Sequence, residues 1–128
     1  MAAEGDLIRE IQLICSHGDV RLFRNQVGEA WQGTTITTPE GILLKHPRRI
    51  QFGLAKGSSD LIGWKAVAIT PDMVGQSLAV FVSVEVKTPR GSFQTGQRPW
   101  LNSVEEFGGI SGVARSLADA QTILGLAR

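Results

Sequence analysis

At 128 residues, 42% hydrophobic and 20% charged, the chain is long enough to bury a core and too apolar to remain disordered. A net charge of +1 leaves nucleic acid open as a partner, but only through clustered basic residues. One cysteine, Cys15, excludes an internal disulfide and fits a reducing compartment. No apolar run approaches the ~20 residues of a membrane span, and the opening MAAEGDLIRE lacks the apolar core of a signal peptide. The expectation is a single cytoplasmic domain covering residues 1–128, without membrane attachment.

Residues 4–17 predict a helix, with Leu7, Ile8, Ile11, Ile14 and a packed Cys15 on one inward face. His17-Gly18 should end it. VRLFRN, residues 20–25, reads as a strand. In residues 26–49, GTTITT suits an edge strand or hairpin arm, and PEGILLKHPRR a turn-rich loop. Gly53, Gly57 and two serines announce tight backbone before a strand over about 60–69. TPDMVGQ is a turn into a long strand, 78–87, followed by the loop TPRGSFQTG. A helix over about 96–107 puts Gln97, Trp100, Leu101, Val104 and Phe107 on one face, and Pro99 confines its start to near Thr95. A last strand, 110–115, precedes a helix capped by Ser116, with Leu117, Ala120, Ile123 and Leu124 inward. The fold class is α/β, a mixed sheet flanked by helices in the order α-β-β-β-α-β-α, with the 26–49 region a further candidate strand.

The chemistry concentrates where the apolar run 78–82 gives way to Glu85 and Lys87. Residues two apart in a strand share a face. Glu85 and Lys87 therefore project together, with Val80, Val82, Val84 and Val86 expected on the opposite, core side. An exposed Glu–Lys pair contributing about 0–1 kcal/mol is the bland alternative. Asp60 opens another apolar strand after KGSS. If the two strands are neighbours, Asp60 and Glu85 can meet, and two carboxylates ~4 Å apart repel by about 4 kcal/mol at an effective dielectric near 20. A cation between them, or a proton on one, would relieve this. Oxygen-only ligands suit Mg²⁺ or Mn²⁺, and a lysine beside such a site can hold an attacking water or offset charge on a phosphate. Neither His17 nor His46 has zinc-ligand spacing with Cys15, and no glycine loop ending in GK[ST] occurs.

Asp60…Glu85-Val86-Lys87 resembles the PD-(D/E)XK nuclease signature. FRNQVG (23–28), FGLAKGSSDLIGW (52–64), AVFVSVEVKTPRG (79–91), Gln97 with Trp100-Leu101, and GGISGVARS (108–116) together resemble the virus-type replication-repair nuclease (VRR-Nuc) domain in its stand-alone phage and prophage form. Ser59 stands where the motif name has proline, and the aspartate that carries the chemistry is retained. The resemblance implies a restriction-endonuclease-like core and a Mg²⁺- or Mn²⁺-dependent endodeoxyribonuclease. Asp60, Glu85 and the Val86 carbonyl would hold the metal, and Lys87 would orient or help deprotonate the water. Cleavage would leave 5′-phosphate and 3′-hydroxyl ends.

Relatives in that superfamily usually add a first-helix glutamate. Glu4, on the apolar stripe, is preferred over Glu10 at its edge. The alternative for Glu4 is to complement the helix dipole. Gln97 matches the family glutamine after the ExK strand and could face the metal-bound water or Lys87, or be a core amide bonded to backbone. Gln94 is the weaker match. Lys56, Arg24, Arg48, Arg49 and Arg90 are the candidate DNA contacts, although a loop run such as Lys45–Arg49 is usually just solvated. Asn25 has either a turn-forming or a site role. The resemblance implies a homodimeric resolvase of branched DNA, four-way junctions above all, in DNA repair, located in the bacterial host cytoplasm if phage-encoded. Competing readings are flap, nick or general duplex cleavage on the same site, a non-catalytic DNA-binding module of phage replication, and a structural domain with a surface ion pair.

Overall fold

The computed structural model describes residues 3–126. The elements are α1 (Glu4–Cys15), β1 (Val20–Arg24), β2 (Gly28–Thr38), β3 (Gly41–Phe52), β4 (Leu61–Lys65), a 3-10 turn (Pro71–Met73), β5 (Val82–Val86), α2 (Gln97–Glu106), β6 (Ile110–Ala114) and α3 (Leu117–Ile123). The ladders are two-stranded: β1 with β4, β2 with β3, β5 with β6. The fold is thus a small mixed α/β arrangement with short sheets. Five strands, not three, lie between α1 and α2, and one continuous mixed sheet is not formed among the described residues. The described residues divide into two compact units. One runs to Ser16 and includes Arg21–Ile62, and the other comprises His17–Val20 and the chain from Gly63 onward.

In the first unit, 28–52 is a long antiparallel hairpin: GTTITT lies in its first arm as expected, while 39–49 is not a loop excursion but the turn and most of β3. Thr38 pairs with Gly41 across Pro39-Glu40, and Gly28 pairs with Phe52. Proline's fixed φ suits the turn, and Thr and Ile alternation on β2 suits a pleated strand. The register shifts between Gln32 and Thr34, so that Gly33 faces both His46 and Pro47. His46 takes a left-handed φ of 52° at this bulge. Pro47 has no N–H to donate, and a bulge is where a strand tolerates that loss. A Cβ on Gly33 would stand 2.6 Å from the Lys45 carbonyl, so only glycine fits. Turn residues over 39–41 and 46–47 disguised β3 as a loop.

Also in that unit, α1 ends at Cys15, two residues earlier than expected. Glu4 and Asp6 in its first turn complement the dipole. Of the expected inward stripe only Ile8 is buried. Leu7, Ile11 and Ile14 are exposed, and so is Cys15, contrary to the packed position expected. Apolar periodicity identified the helix but did not supply a partner for every apolar side chain.

The second unit packs α2 and α3 on opposite faces of the parallel β5–β6 ladder. On one face, Trp100 Nε1 donates to Ser83 Oγ at 2.8 Å, and Ser111 Oγ donates to the Leu101 carbonyl at 2.8 Å. On the other, Gly112 lies against Ile123, where a Cβ would come within 2.7 Å of Cδ1. Leu101, Val104 and Ala114 are buried, and Val104 is 1% exposed. Trp64, Phe81, Trp100 and Phe107 form an aromatic cluster, with Trp64 and Phe81 edge-to-face at 5.0 Å between centroids. Ser116 caps α3 as expected, its hydroxyl accepting from the Asp119 N–H at 3.1 Å. Leu117, expected inward, is exposed.

Two expectations about β5 fail. The strand covers 82–86 rather than 78–87. Val80, Val82 and Val86 are 51%, 48% and 75% exposed, so they do not form the core face. The covered face is the polar one, Ser83 with Glu85, because α2 brings an indole N–H and an amide that satisfy it. β4 is likewise shorter than the 60–69 predicted, and it pairs with β1 while β5 pairs with β6. The condition that would have made these two strands neighbours is not met in the ladders formed among the described residues.

Candidate active site

Alternation along β5 sends Ser83 and Glu85 toward α2, and Lys87 follows one residue beyond the strand. The Lys87 N–H donates to the Ala114 carbonyl at 3.0 Å, which carries the ladder one residue further and fixes where the side chain leaves the backbone. Lys87 Nζ lies 3.4 Å from Glu85 Oε1. Gln97 Nε2 donates to the same oxygen at 2.9 Å. Gln97 is itself oriented, since its Oε1 accepts the Gln94 N–H at 2.8 Å across the left-handed Gly96 that begins α2. The side chain of Lys87 is only 11% exposed and that of Glu85 29%, so this pair is screened less than a surface pair. The Phe93 ring closes one side, 5.9 Å from Lys87 Nζ, with the Arg98 guanidinium 4.1 Å from that ring.

The backbone after Lys87 is fastened by a residue that sequence reasoning passed over. Thr88-Pro89-Arg90-Gly91 makes a turn closed by the Gly91 N–H on the Thr88 carbonyl at 3.0 Å. Proline second and glycine fourth are the residues such a turn favours. Arg115 Nη1 donates to the carbonyls of Thr88 at 2.7 Å, Gly91 at 2.8 Å and, more weakly, Pro89 at 3.4 Å. Arg115 sits directly after β6, and its own N–H is held by Asp119 Oδ2 at 2.9 Å. The only sequence signal was its place in the GGISGVARS block. Arg90 rides on this turn, exposed.

Asp60 belongs to the first unit, one residue before β4. Its backbone carbonyl accepts the Asn25 N–H at 2.8 Å, while its exposed carboxylate has no hydrogen-bond or ion-pair partner among the described residues. Glu4 and Glu10 are exposed on α1 and also lack such partners there. Arg24 and Lys56 are exposed. Lys56 lines a concavity of about 600 Å³ with Phe52, Gly53 and Leu54. The basic run 45–49 lies on β3 rather than on a loop. Because their partners Gln32 and Thr34 are two apart on β2, Arg48 and Lys45 share one face. Arg49 takes the other face, 5.8 Å over the Trp31 ring and 2.5 Å from Glu29 Oε2. Arg48 is bound to Gln32 Oε1 at 2.7 Å.

Among the described residues, no group of three or more His, Cys, Asp or Glu side chains is gathered as a metal cage. The donor chemistry nevertheless suits a hard cation. Lys87 and Gln97 both engage Oε1 of Glu85, which leaves Oε2 without a protein donor among the described residues. The Asp60 carboxylate is also uncommitted there. Mg²⁺ asks for one or two carboxylates and keeps several waters, so a cage is not required.

Glu85 and Lys87 thus leave the same side of β5 and its extension, and Gln97 is bonded to the carboxylate. Residues 12–118 match the VRR-NUC domain, most of the chain, and the protein belongs to that family. It is therefore a nuclease domain with DNA as its substrate. Glu4 and Glu10 both precede the matched stretch. Searches of curated proteins and of solved structures returned no match. No helix among the described residues is long and apolar enough to cross a membrane.

Proposed function

We propose that this chain is a single VRR-Nuc domain over residues 1–128, acting as a Mg²⁺- or Mn²⁺-dependent, structure-selective DNA endonuclease. The cluster Glu85–Lys87–Gln97 carries the reading. It holds an ammonium group and a carboxylate oxygen on one covered face with their orientation set by hydrogen bonds. Asp60, Glu85 and the Val86 carbonyl would hold the cation, with Glu4 as the helix acid. A bound divalent ion would supply charge neutralisation at the phosphate and a more acidic water. Lys87, pinned at 3.4 Å from Glu85, would hold the water in line with the scissile phosphorus. Gln97 would keep Glu85 from swinging away when Lys87 turns toward the phosphate. Lys56, Arg24, Arg90 and whichever of Arg48 and Arg49 faces the DNA would contact phosphates.

Four-way junctions are the substrate class we favour, cut by a homodimer. Two equivalent strands call for two equivalent sites, and a two-fold assembly supplies them. The test incubates the protein with junction, flap and linear DNA in Mg²⁺, Mn²⁺ or EDTA, beside Asp60→Ala and Lys87→Ala. Metal-dependent cutting by the parent and none by either folded variant is expected. Cutting that persists in EDTA, or after Asp60→Ala, would overturn the mechanism. Faster cutting of flaps than of junctions would replace the resolvase reading with a flap nuclease on the same site.

A further inference from the structure

The stretch before Asp60 is organised around one buried amide. Asn25 is 7% exposed, the buried polar residue among the described residues of the first unit. Its Oδ1 accepts the Leu54 N–H at 3.0 Å, where the tight stretch begins. Its Nδ2 donates at the other end, to Ser58 Oγ at 2.8 Å and the Ser59 carbonyl at 2.9 Å. Its backbone N–H then reaches the Asp60 carbonyl at 2.8 Å. One side chain thus joins the entry and exit of a six-residue excursion, 54–59, and both amide protons and the amide oxygen are used.

The rest of the excursion is built to accept this. Ser58 Oγ donates to the Ala55 carbonyl at 2.6 Å, and the Ser58 N–H donates to the same carbonyl at 2.9 Å. Gly53 and Gly57 take φ of 84° and 88°, which a side chain would resist. Gly53 also lies against the chain just after Asn25, where a Cβ would meet the Gln26 carbonyl at 2.6 Å. Lys56 projects from the middle of the excursion, and Asp60 stands at its end.

We infer that Asn25 is a positioning residue for the metal-binding carboxylate of Asp60. Resting on the nuclease reading above, this assigns Asn25 a role in metal affinity that a mere turn former would not have. Asn25 reaches Asp60 only through backbone, so it acts by fixing where the aspartate leaves the chain. A carboxylate displaced by about an ångström is a poorer ligand and leaves a slower reaction. Lys56, on the same excursion, is aimed by the same amide.

The discriminating variant is Asn25→Asp. It keeps an acceptor for Leu54, but it sets a carboxylate against the Ser59 carbonyl, which has no proton to offer. The probe is Mn²⁺ alone, titrated calorimetrically at a temperature where circular dichroism shows every variant folded. Amide exchange at Leu54 and cutting kinetics are followed in parallel. The parent should bind Mn²⁺, and Asn25→Asp should keep Leu54 protected while binding Mn²⁺ at least about 10-fold more weakly, as loss of a ligand-orienting partner does. Ser58→Ala, which removes one of the two acceptors, should fall between. Unchanged or tighter Mn²⁺ binding by folded Asn25→Asp overturns the inference and leaves the nuclease reading standing. If Asn25→Asp does not fold, Ser58→Ala decides, and an unchanged Mn²⁺ affinity and DNA KM there overturn it. A parent that binds no Mn²⁺ and cuts no DNA removes the nuclease reading, and this inference with it.

Discussion

Gln97 and Glu85 meet at 2.9 Å between α2 and β5, on the oxygen that Lys87 also approaches at 3.4 Å. Two donors on one carboxylate oxygen hold the group in place and leave the other oxygen for a further ligand. Gln97→Leu should therefore weaken Mg²⁺ or Mn²⁺ binding about 10–100-fold, in line with loss of a partner that orients a metal ligand. Calorimetric titration of the folded variant measures this, and unchanged affinity would make Gln97 a packing residue only.

Lys87→Met keeps the aliphatic stem beside Phe93 and removes the charge. Under saturating metal the cutting rate should fall by about 10²–10⁴, the range expected for a group that positions or deprotonates water. KM for DNA should move much less. A variant retaining more than a tenth of the parent rate would exclude Lys87 from the chemical step.

Arg115 holds the Thr88 and Gly91 carbonyls at 2.7 and 2.8 Å. Arg115→Ala should cost on the order of 1 kcal/mol, reduced from the full value of charge-assisted bonds because the group is exposed. The local signature is faster amide exchange at Gly91, whose N–H closes the turn. Arg115→Lys should recover little, since a single ammonium cannot reproduce the guanidinium fork. Protection of Gly91 that survives Arg115→Ala would refute the bracing role.

Gly112 and Ile123 form the contact that seats α3 on β6. Gly112→Ala alone overpacks that contact and should destabilise by about 1–3 kcal/mol. Ile123→Ala alone should destabilise by removing apolar contact. The double variant should be more stable than the sum of the two effects, with a coupling of about 0.5–3 kcal/mol in urea titrations. Strict additivity would show that the new methyl finds room elsewhere.

Arg48 and Arg49 leave opposite faces of β3, so a rigid duplex lying on one face of the hairpin can use only one of them directly. Removing one phosphate-binding cation should lower the slope of log K against log salt by about 0.9. Single Arg48→Ala and Arg49→Ala variants should accordingly differ, one reducing the slope and the other leaving it near the parent value. Equal reductions in both, read from filter binding across a salt series, would contradict this.

Local chemistry was readable along the chain. Ser116 as a cap and the shared side of Glu85 and Lys87 both follow from residue types a few positions apart. The 39–49 segment was misread because Pro39, Gly41 and Pro47 signal turns, yet they serve a hairpin tip and a bulge inside one ladder. Asn25, Gln97 and Arg115 could not be read in the same way. Their distant side-chain partners lie 29 to 34, 12 and 24 to 27 residues away. No periodicity encodes such a distance.

By itself the chain determined that Glu85 and Lys87 emerge on one side of a strand, because β-pleating alternates side chains whatever surrounds them. Only the tertiary structure decided that this polar side is covered by α2 while Val82 and Val86 stay exposed. Covering a serine hydroxyl and a carboxylate depends on groups that satisfy them, and here those groups, the Trp100 indole and the Gln97 amide, come from α2, which folding brings against β5.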